Sequence, residues 1–249
     1  CVHKSEVCDG IVHCDDGEDE LLCDTGPCDP NCKCVAHAAH CIGIQNISTL
    51  HQDKESGLKY LQVHHGLITL SNKAFHKFSN LLFIDISKNF LTAICHKIEE
   101  GHTFERQTHT KSLDLSSNVL MDLLYDCFAG LISLKELLLG DNYIDTIVKG
   151  SFIPLKKLET LILSRNKIKV LKNSVFMGLE RLSFLFLDGN NIKELEAKAF
   201  LGLDLSFLGT RNYKVCCVYS TESVICPAEW HWMSTCDDML SNEGMRVVI

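Results

Sequence analysis

The sequence predicts an α/β repeat solenoid in which short parallel strands line a concave face. One apolar pattern recurs along residues 58–213, and four asparagines within it lie 24 residues apart, at positions 118, 142, 166 and 190. In addition, a phenylalanine recurs at one place between successive copies of the pattern. With 249 residues, of which 46% are apolar and only 4 are Pro, the chain has ample material for a packed core.

The repeated unit reads L-x-x-L-x-L-x-x-N-x-L, which is the pattern of a leucine-rich repeat. Complete copies contain Asn89, Asn142, Asn166 and Asn190. Two copies are degenerate: one starts at Leu58, with Gly66 at the Asn position and Ile68 as its last apolar residue, and the copy with Asn118 has Thr110 at its first apolar position. Each unit should form a strand, a turn closed by the buried Asn amide, and a return segment, and the units should stack into a horseshoe. An all-helical protein would not place Asn every 24 residues.

The return segments should pack through a column of stacked phenylalanines. These are Phe75, Phe128, Phe152, Phe176 and Phe200. The step from Asn89 to Asn118 is 29 residues, so we expect five extra residues as a polar loop insertion within 95–110. Cys95 lies in this insertion and Cys127 lies in the next return segment, so a bond between neighbouring coils and a buried free Cys127 are both open.

Composition bounds the compartment and the partners. The 14 Cys indicate an oxidising compartment, and Asn46-Ile47-Ser48 is a sequon for glycosylation of Asn46. The net charge of −8 argues against nucleic acid and favours a cationic partner. The motifs G-x-S-x-G and H-E-x-x-H and phosphate-binding loops are absent from the sequence, and we expect no enzyme activity.

Cys28, Cys32, Cys34 and Cys41 precede the first repeat with the spacing C-x3-C-x-C-x6-C. This cluster resembles the N-terminal cap of extracellular leucine-rich-repeat proteins, which covers the apolar end of the solenoid. The resemblance implies the pairs Cys28–Cys34 and Cys32–Cys41. A zinc site that uses His37 or His40 is the alternative.

Residues 1–23 read C-x6-C-D-G-x3-C-x-D-G-x-D-E-x2-C and resemble the second half of a low-density-lipoprotein-receptor class A module. Such modules fold around a Ca²⁺ ion, and the resemblance implies Asp9, Asp19 and Glu20 as its ligands. His13 stands where the family has a further acidic ligand, so calcium affinity should be lowered. The resemblance also implies a Cys8–Cys23 bond and upstream partners for the remaining two cysteines.

The third cysteine cluster and the residues up to Ile249 resemble the hinge of leucine-rich-repeat-containing G-protein-coupled receptors, just before their first membrane helix. The resemblance implies the bonds Cys216–Cys226 and Cys217–Cys236. The whole order of modules resembles the relaxin-receptor-like subgroup. The chain then divides into module half 1–23, linker 24–27, cap 28–57, repeats 58–213, hinge 214–245 and the start of a transmembrane helix at 246–249.

This resemblance implies the extracellular side of a cell-membrane receptor for a relaxin/insulin-like peptide hormone, coupled to a heterotrimeric G protein through a membrane domain outside this chain. A secreted or matrix leucine-rich scaffold is the main alternative, and an ectodomain of the glycoprotein-hormone-receptor type is another.

The concave face should carry the ligand site. Asp85 and Asp114 hold equivalent positions on neighbouring strands about 5 Å apart, where like charges repel and folding alone gives no reason for them. An exposed apolar strip should continue their column, and its residues are Leu138, Ile162, Phe184 and Phe186. The resemblance implies that hormone arginines meet acidic residues here, and the candidates are Asp85, Asp114, Glu136 and Asp141. Phe184 and Phe186 would be the hydrophobic anchors.

Overall fold

The computed structural model describes residues 30–35, 37–50, 57–72, 74–95, 102–210 and 246–248. Their regular elements are a short 3-10 helix, Ile47–Thr49, and fourteen strands. In chain order the strands are β1 (Cys32–Val35), β2 (Ala38–Ile42), β3 (Tyr60–His64), β4 (Phe83–Asp85), β5 (Ser112–Asp114), β6 (Asp122–Leu123), β7 (Glu136–Leu138), β8 (Thr146–Ile147), β9 (Thr160–Ile162), β10 (Val170–Leu171), β11 (Phe184–Phe186), β12 (Glu194–Glu196), β13 (Phe207–Gly209) and β14 (Arg246–Val248).

One long sheet organises the described part of the chain. Its strand order is β1-β2-β3-β4-β5-β7-β9-β11-β13, and every pairing in it is parallel except that of β1 with β2. Two smaller sheets, β6-β8 and β10-β12-β14, join the segments that leave the long sheet. β14 pairs in parallel with β12 at residues where the sequence predicts the start of a helix, so residues 246–248 are strand in this structure.

The apolar pattern fixes which way each strand faces. In the three-residue strands β4, β5, β7 and β9 the middle residue is buried and its two neighbours are half-buried. Side chains alternate along a strand, so the apolar residues before and after an outward residue both point into the core. At β7, for example, Leu137 and Leu139 are buried on either side of Leu138. The outward positions form the concave face of the solenoid.

The buried asparagines hold neighbouring coils together. Asn142 Oδ1 accepts the amide of Leu120 at 3.1 Å, and its Nδ2 donates to the carbonyls of Leu115 in the preceding coil and Leu139 in its own coil, at 3.0 and 3.2 Å. Equivalent bonds are made by Asn89, Asn118, Asn166 and Asn190. The predicted role of the amide is confirmed, and its bonds also cross between coils.

The first coil departs from the predicted register. Leu67 is buried and its amide donates to Asn89 Oδ1 at 3.0 Å, whereas Ile68 is 55% exposed. Leu67, rather than Ile68, is therefore the last apolar residue of this unit, because its turn is one residue shorter. A Cβ on Gly66 would lie 2.4 Å from the backbone of Gly43, so the close approach of the cap requires glycine here.

The phenylalanine column is confirmed, and it contains one member that the sequence analysis missed. The rings of Phe128, Phe152, Phe176 and Phe200 stack in turn at 5.8–6.2 Å. Phe75 stacks at 5.4 Å on Phe104, which is fully buried. The interpretation of residues 95–110 as a polar loop was therefore wrong for 103–107, where Thr103 and Gln107 are also buried. Thr110 is buried at the first apolar position of its copy, as predicted, and its Oγ1 donates to the carbonyl of Leu81 at 2.9 Å.

Two disulfides lie wholly within the described residues. Cys32–Cys41 joins β1 to β2, as the resemblance to a cap implied, and these two sulfurs are therefore not thiolate ligands for zinc. Cys95–Cys127 joins neighbouring coils, which resolves the alternative left open by the sequence. Cys34 is also bonded, but its predicted partner Cys28 lies outside the described residues.

Several predicted features also fall outside the described residues. They are the calcium ligands Asp9, Asp19 and Glu20 and the cysteines 8, 23, 216, 217, 226 and 236. Where the structure is described, the return segments are turns rather than α-helices. Within the same part of the chain, no helix is long and apolar enough to cross a membrane.

Replacement of Asn142 by Ala should lower the free energy of unfolding by about 2–3 kcal/mol, because it leaves the buried Leu120 amide without its partner and removes one of the two asparagine bonds to each of the Leu115 and Leu139 carbonyls. Urea unfolding followed by circular dichroism measures this. The exposed Asn191 is a matched control, and its change to Ala should alter stability by less than about 0.5 kcal/mol. Equal effects of the two changes would contradict the role of the ladder.

Replacement of Phe104 by Ala should destabilise the chain by about 3–5 kcal/mol, because it opens a cavity beside Phe75. Phe90, which is 59% exposed, is the control, and its change to Ala should cost less than about 0.5 kcal/mol. If thermal unfolding of the Phe104 variant matched that of the control, residues 103–110 would not be part of the core.

Candidate functional site

Two columns of side chains cross the outward face of the long sheet. The first column is Tyr60, Phe83, Ser112, Glu136, Thr160, Phe184 and Phe207. The second column is Gln62, Asp85, Asp114, Leu138, Ile162, Phe186 and Gly209. Because the strands are parallel and in register, successive members of a column lie about 4.8 Å apart along the sheet.

The structure places Asp85 and Asp114 in register on β4 and β5, as predicted. Each carboxylate also has a local structural role, because Asp85 Oδ1 accepts the amide of Ser87 at 3.0 Å and Asp114 Oδ1 accepts that of Ser116 at 2.8 Å. These bonds stabilise the turn that follows each strand. The expectation that folding gives no reason for the two aspartates was therefore wrong.

Asp85 is held by a polar network that the sequence analysis did not identify. Gln62 Nε2 donates to Asp85 Oδ2 at 2.7 Å, and His64 Nε2 lies 3.0 Å from Asp85 Oδ1. His40 Nδ1 lies 2.8 Å from Gln62 Oε1, which orients the amide. A sequence signal was present, since Gln62 precedes Asp85 in the second column. Both oxygens of Asp85 are therefore engaged within the protein.

The pKa values of Asp85 and Asp114 are shifted in opposite directions. Burial raises the pKa of Asp85, but hydrogen bonds from Gln62, Ser87 and His64 outweigh burial and hold this pKa below its usual value. Burial also raises the pKa of Asp114, and the negative charge of Asp85 adds to that effect, while hydrogen bonds from Ser116 oppose it without reversing it. Asp114 is therefore the carboxylate that would gain more from an added cation.

The apolar strip follows directly on the acidic pair, with one correction. Leu138, Ile162 and Phe186 continue the second column and are half-buried, whereas Phe184 lies in the first column and is 44% exposed. Phe207 on the last strand, which the sequence analysis missed, packs on Phe186 with ring centroids 5.1 Å apart. The three phenylalanines form an aromatic cluster at one end of the face.

The other two acidic candidates differ in their surroundings. Glu136 lies in the first column and accepts the hydroxyl of Ser112 at 2.9 Å. Asp141 lies at the turn beyond β7 and is paired with Arg165 through both of its oxygens. The hydrogen bond from Arg165 is the main reason that the pKa of Asp141 is lowered. A ligand cation at Asp141 would have to displace Arg165.

The predicted glycosylation site has an exposed position. Asn46 precedes the 3-10 helix, and its Oδ1 accepts the amide and the hydroxyl of Ser48 at 2.9 and 2.8 Å. Ile47 between them is buried. The sequon therefore lies on the cap and away from the two columns.

The comparisons with known proteins agree with this architecture. Residues 132–192 and 156–209 match the family model for the leucine rich repeat. Among solved structures, 226 chains match; one is the crystal structure of a TLR13-ssRNA13 complex, with 31% identity and a TM-score of 0.53. The match covers 60% of this chain and 22% of that chain, so this chain corresponds to less than a quarter of its relative. No curated protein matches.

The repeats, the asparagine ladder and these matches identify the leucine-rich-repeat class of fold in this chain, and curved sheets of this class act as binding scaffolds. Within that class, this chain has a disulfide-closed strand pair at the start of its sheet and an acidic patch beside an apolar strip on the open face.

Removal of the charge of Asp114 and removal of the charge of Asp85 should change the free energy of unfolding in opposite directions. At pH 7, Asp114→Asn should raise the free energy of unfolding by about 0.5 kcal/mol, because it removes a like charge next to Asp85 and keeps an oxygen for the Ser116 amide. Asp85→Asn should lower it by about 1 kcal/mol, because three charge-assisted hydrogen bonds weaken.

Chemical unfolding as a function of pH tests these signs. The pKa of Asp114 is raised because the folded state disfavours the ionised carboxylate. The gain in stability from Asp114→Asn should therefore be complete above the folded pKa and vanish below the unfolded pKa of about 4. The depressed pKa of Asp85 contributes stability above its unfolded value, and that contribution is lost as the pH falls through the folded pKa. A destabilised Asp114→Asn variant at pH 7 would contradict this account.

Proposed function

We propose that this chain is the extracellular ligand-binding region of a membrane receptor and that its ligand is a basic peptide of the relaxin/insulin-like type. The observation that carries the proposal is the order of the second column, in which Asp85 and Asp114 are followed at once by Leu138, Ile162 and Phe186. A ligand with a cationic group next to an apolar face would match this order.

Asp114 is the first contact we assign to a ligand arginine. Among the described residues, hydrogen bonds to Asp114 come from Ser116 alone, whereas Asp85 is held by Gln62, Ser87 and His64. Glu136 is on the neighbouring strand, so one guanidinium could reach both carboxylates. Asp85 would then attract the arginine through its charge without a direct hydrogen bond. Asp141 would contact the ligand only if Arg165 moved away from it.

The aromatic cluster would anchor the apolar part of the ligand. Phe184 is 44% exposed and lies in register with Phe207, and Phe186 packs against Phe207. Aromatic residues in such positions commonly supply most of the binding energy of an interface. An apolar peptide face would thus gain affinity at one end of the strip while the acidic pair fixes its direction.

The remaining parts of the proposal rest on sequence resemblance. The N-terminal module would bind Ca²⁺ through Asp9, Asp19 and Glu20, and the hinge would connect to a membrane domain that couples to a heterotrimeric G protein. The TLR13 structure is that of a complex with ssRNA13, but the sheet face of this chain does not favour an RNA ligand. The two columns carry Asp85, Asp114 and Glu136 and no Lys or Arg, which disfavours a phosphate backbone.

Isothermal titration calorimetry of the 249-residue chain with a two-chain relaxin-like peptide tests the proposal. Asp114→Asn should weaken binding about 10- to 100-fold, since a charge-assisted hydrogen bond is worth about 1.5–3 kcal/mol. Phe184→Ala should weaken it by a similar factor. Higher salt should weaken wild-type binding more than that of the Asp114 variant.

Two controls make the result specific. Asp122→Asn changes an exposed carboxylate outside the two columns and should leave the affinity within about twofold. The same peptide with its arginines changed to alanine should lose the difference between wild type and Asp114→Asn. A panel of such peptides that all fail to bind the wild-type chain would leave a protein-binding scaffold as the function.

A further inference from the structure

A row of exposed apolar side chains follows the asparagine turns and lies outside the two columns of the sheet face. We call this row the lateral ridge. Its members flank the buried apolar residue that follows each turn, and they are Ile68, Phe90, Met121 and Tyr143, with exposures of 55, 59, 57 and 51%. Ile68 and Met121 follow the buried residue of their coil, and Phe90 and Tyr143 precede it. The exposures are high for large apolar side chains in four consecutive coils.

Backbone hydrogen bonds place the ridge residues next to each other. The amide of Phe90 donates to the carbonyl of Leu67, beside Ile68, at 2.9 Å. The amide of Tyr143 donates to the carbonyl of Leu120, beside Met121, also at 2.9 Å. The amide of Val119, in the same coil as Met121, donates to the carbonyl of Leu91, next to Phe90, at 3.1 Å and joins the two pairs. The ridge therefore runs along four coils. Contiguous exposed apolar strips of this kind mark interaction surfaces.

Three of the four flanking positions in the next two coils are basic, and the fourth is Asn191. Lys167 and Lys169 flank Ile168, Lys193 follows Ile192, and all three lysines are exposed. Lys167 Nζ lies 5.9 Å from the centre of the Tyr143 ring, which joins the basic end to the apolar end. None of the three lysines forms a salt bridge with any of the described residues. Asp145 is the one carboxylate among the corresponding positions of the described coils.

A partner with the matching chemistry is present in the chain itself. Residues 1–24 contain eight carboxylates and one lysine, a formal charge of −7, out of −8 for the whole chain. Residues 25–249 therefore carry −1. With one Ca²⁺ at Asp9, Asp19 and Glu20, as proposed above, residues 1–24 would still carry −5. The acidic segment also contains apolar side chains, among them Ile11, Val12, Leu21 and Leu22. Its composition complements a surface that has apolar residues at one end and lysines at the other.

We propose that the lateral ridge is the docking surface for residues 1–24 of this same chain. The segment is close enough: Ile68, at the near end of the ridge, lies in the coil of β3, one strand spacing of about 4.8 Å from β2, and residues 24–28, up to the cysteine that the cap resemblance bonds to Cys34, span about 14 Å when extended. An anionic membrane is disfavoured because the chain as a whole is negative. The docked segment neutralises the three lysines and covers the aromatic residues.

Photo-crosslinking in the 249-residue chain tests this proposal directly. p-Benzoylphenylalanine is placed at Phe90 or at Tyr143, and crosslinked peptides are identified by mass spectrometry after irradiation. Both positions should crosslink within one molecule to residues 1–24. The same group at Ile132, an apolar residue of a return segment that is 55% exposed, is the control and should give at least fivefold less of this product.

Charge reversal separates docking from chance proximity. The variant Lys167→Glu, Lys169→Glu, Lys193→Glu should lower the crosslink yield at least fivefold, and high salt should lower it as well. The variant Lys156→Glu, Lys157→Glu changes exposed lysines of a return segment and should leave the yield within about twofold. Circular dichroism should show that both variants keep the wild-type fold, because every changed residue is exposed.

Three outcomes would overturn the proposal. Crosslinks between two copies instead of within one would assign the ridge to self-association. Capture of the labelled chain by added phosphatidylserine vesicles, with loss of the internal crosslink, would assign it to an anionic surface. A yield equal to that at Ile132, or unchanged by reversal of the three lysines, would remove the docking of residues 1–24 altogether.

Discussion

The structure depends on one interaction, the hydrogen bonding of a buried asparagine amide to the backbone of two neighbouring coils. The turn of each coil buries backbone amides and carbonyls, and the coil alone does not provide hydrogen-bond partners for all of them. Each Asn supplies them by accepting an amide from the preceding coil and donating to carbonyls of the preceding coil and of its own coil. This exchange fixes the spacing of the coils, and the fixed spacing puts the outward residues of every strand in register. The two columns of the sheet face and the lateral ridge exist because of that register.

Much of the fold could be predicted because its physical cause is periodic. Leucines that reach the core and asparagines that close turns must recur at equal intervals, so their spacing is visible without coordinates. The prediction was wrong where the period changes. In the first coil a shorter turn moved the buried position from Ile68 to Leu67, and before the third coil an insertion concealed Phe104. Both errors come from assuming constant length, whereas burial selects the residue that fits.

The candidate site was less predictable, because alternation gives the direction of a side chain but not its partners. Asp85 and Asp114 were correctly placed next to each other, and their difference was not predictable. Asp85 accepts hydrogen bonds from Gln62 and His64 as well as from Ser87, whereas Asp114 accepts them from Ser116. The pKa is therefore lowered at one of two equivalent positions and raised at the other. Similarly, the pairing of Asp141 with Arg165 depends on two turns whose residues are 24 apart in sequence.

The disulfide between Cys95 and Cys127 has a consequence for the integrity of the chain. It links two neighbouring coils that are separated by 32 positions in the sequence. A protease that cuts one peptide bond anywhere between these two cysteines would leave both fragments in the same covalent molecule. The nicked protein would keep its two halves of the sheet together and would separate into two bands only after reduction.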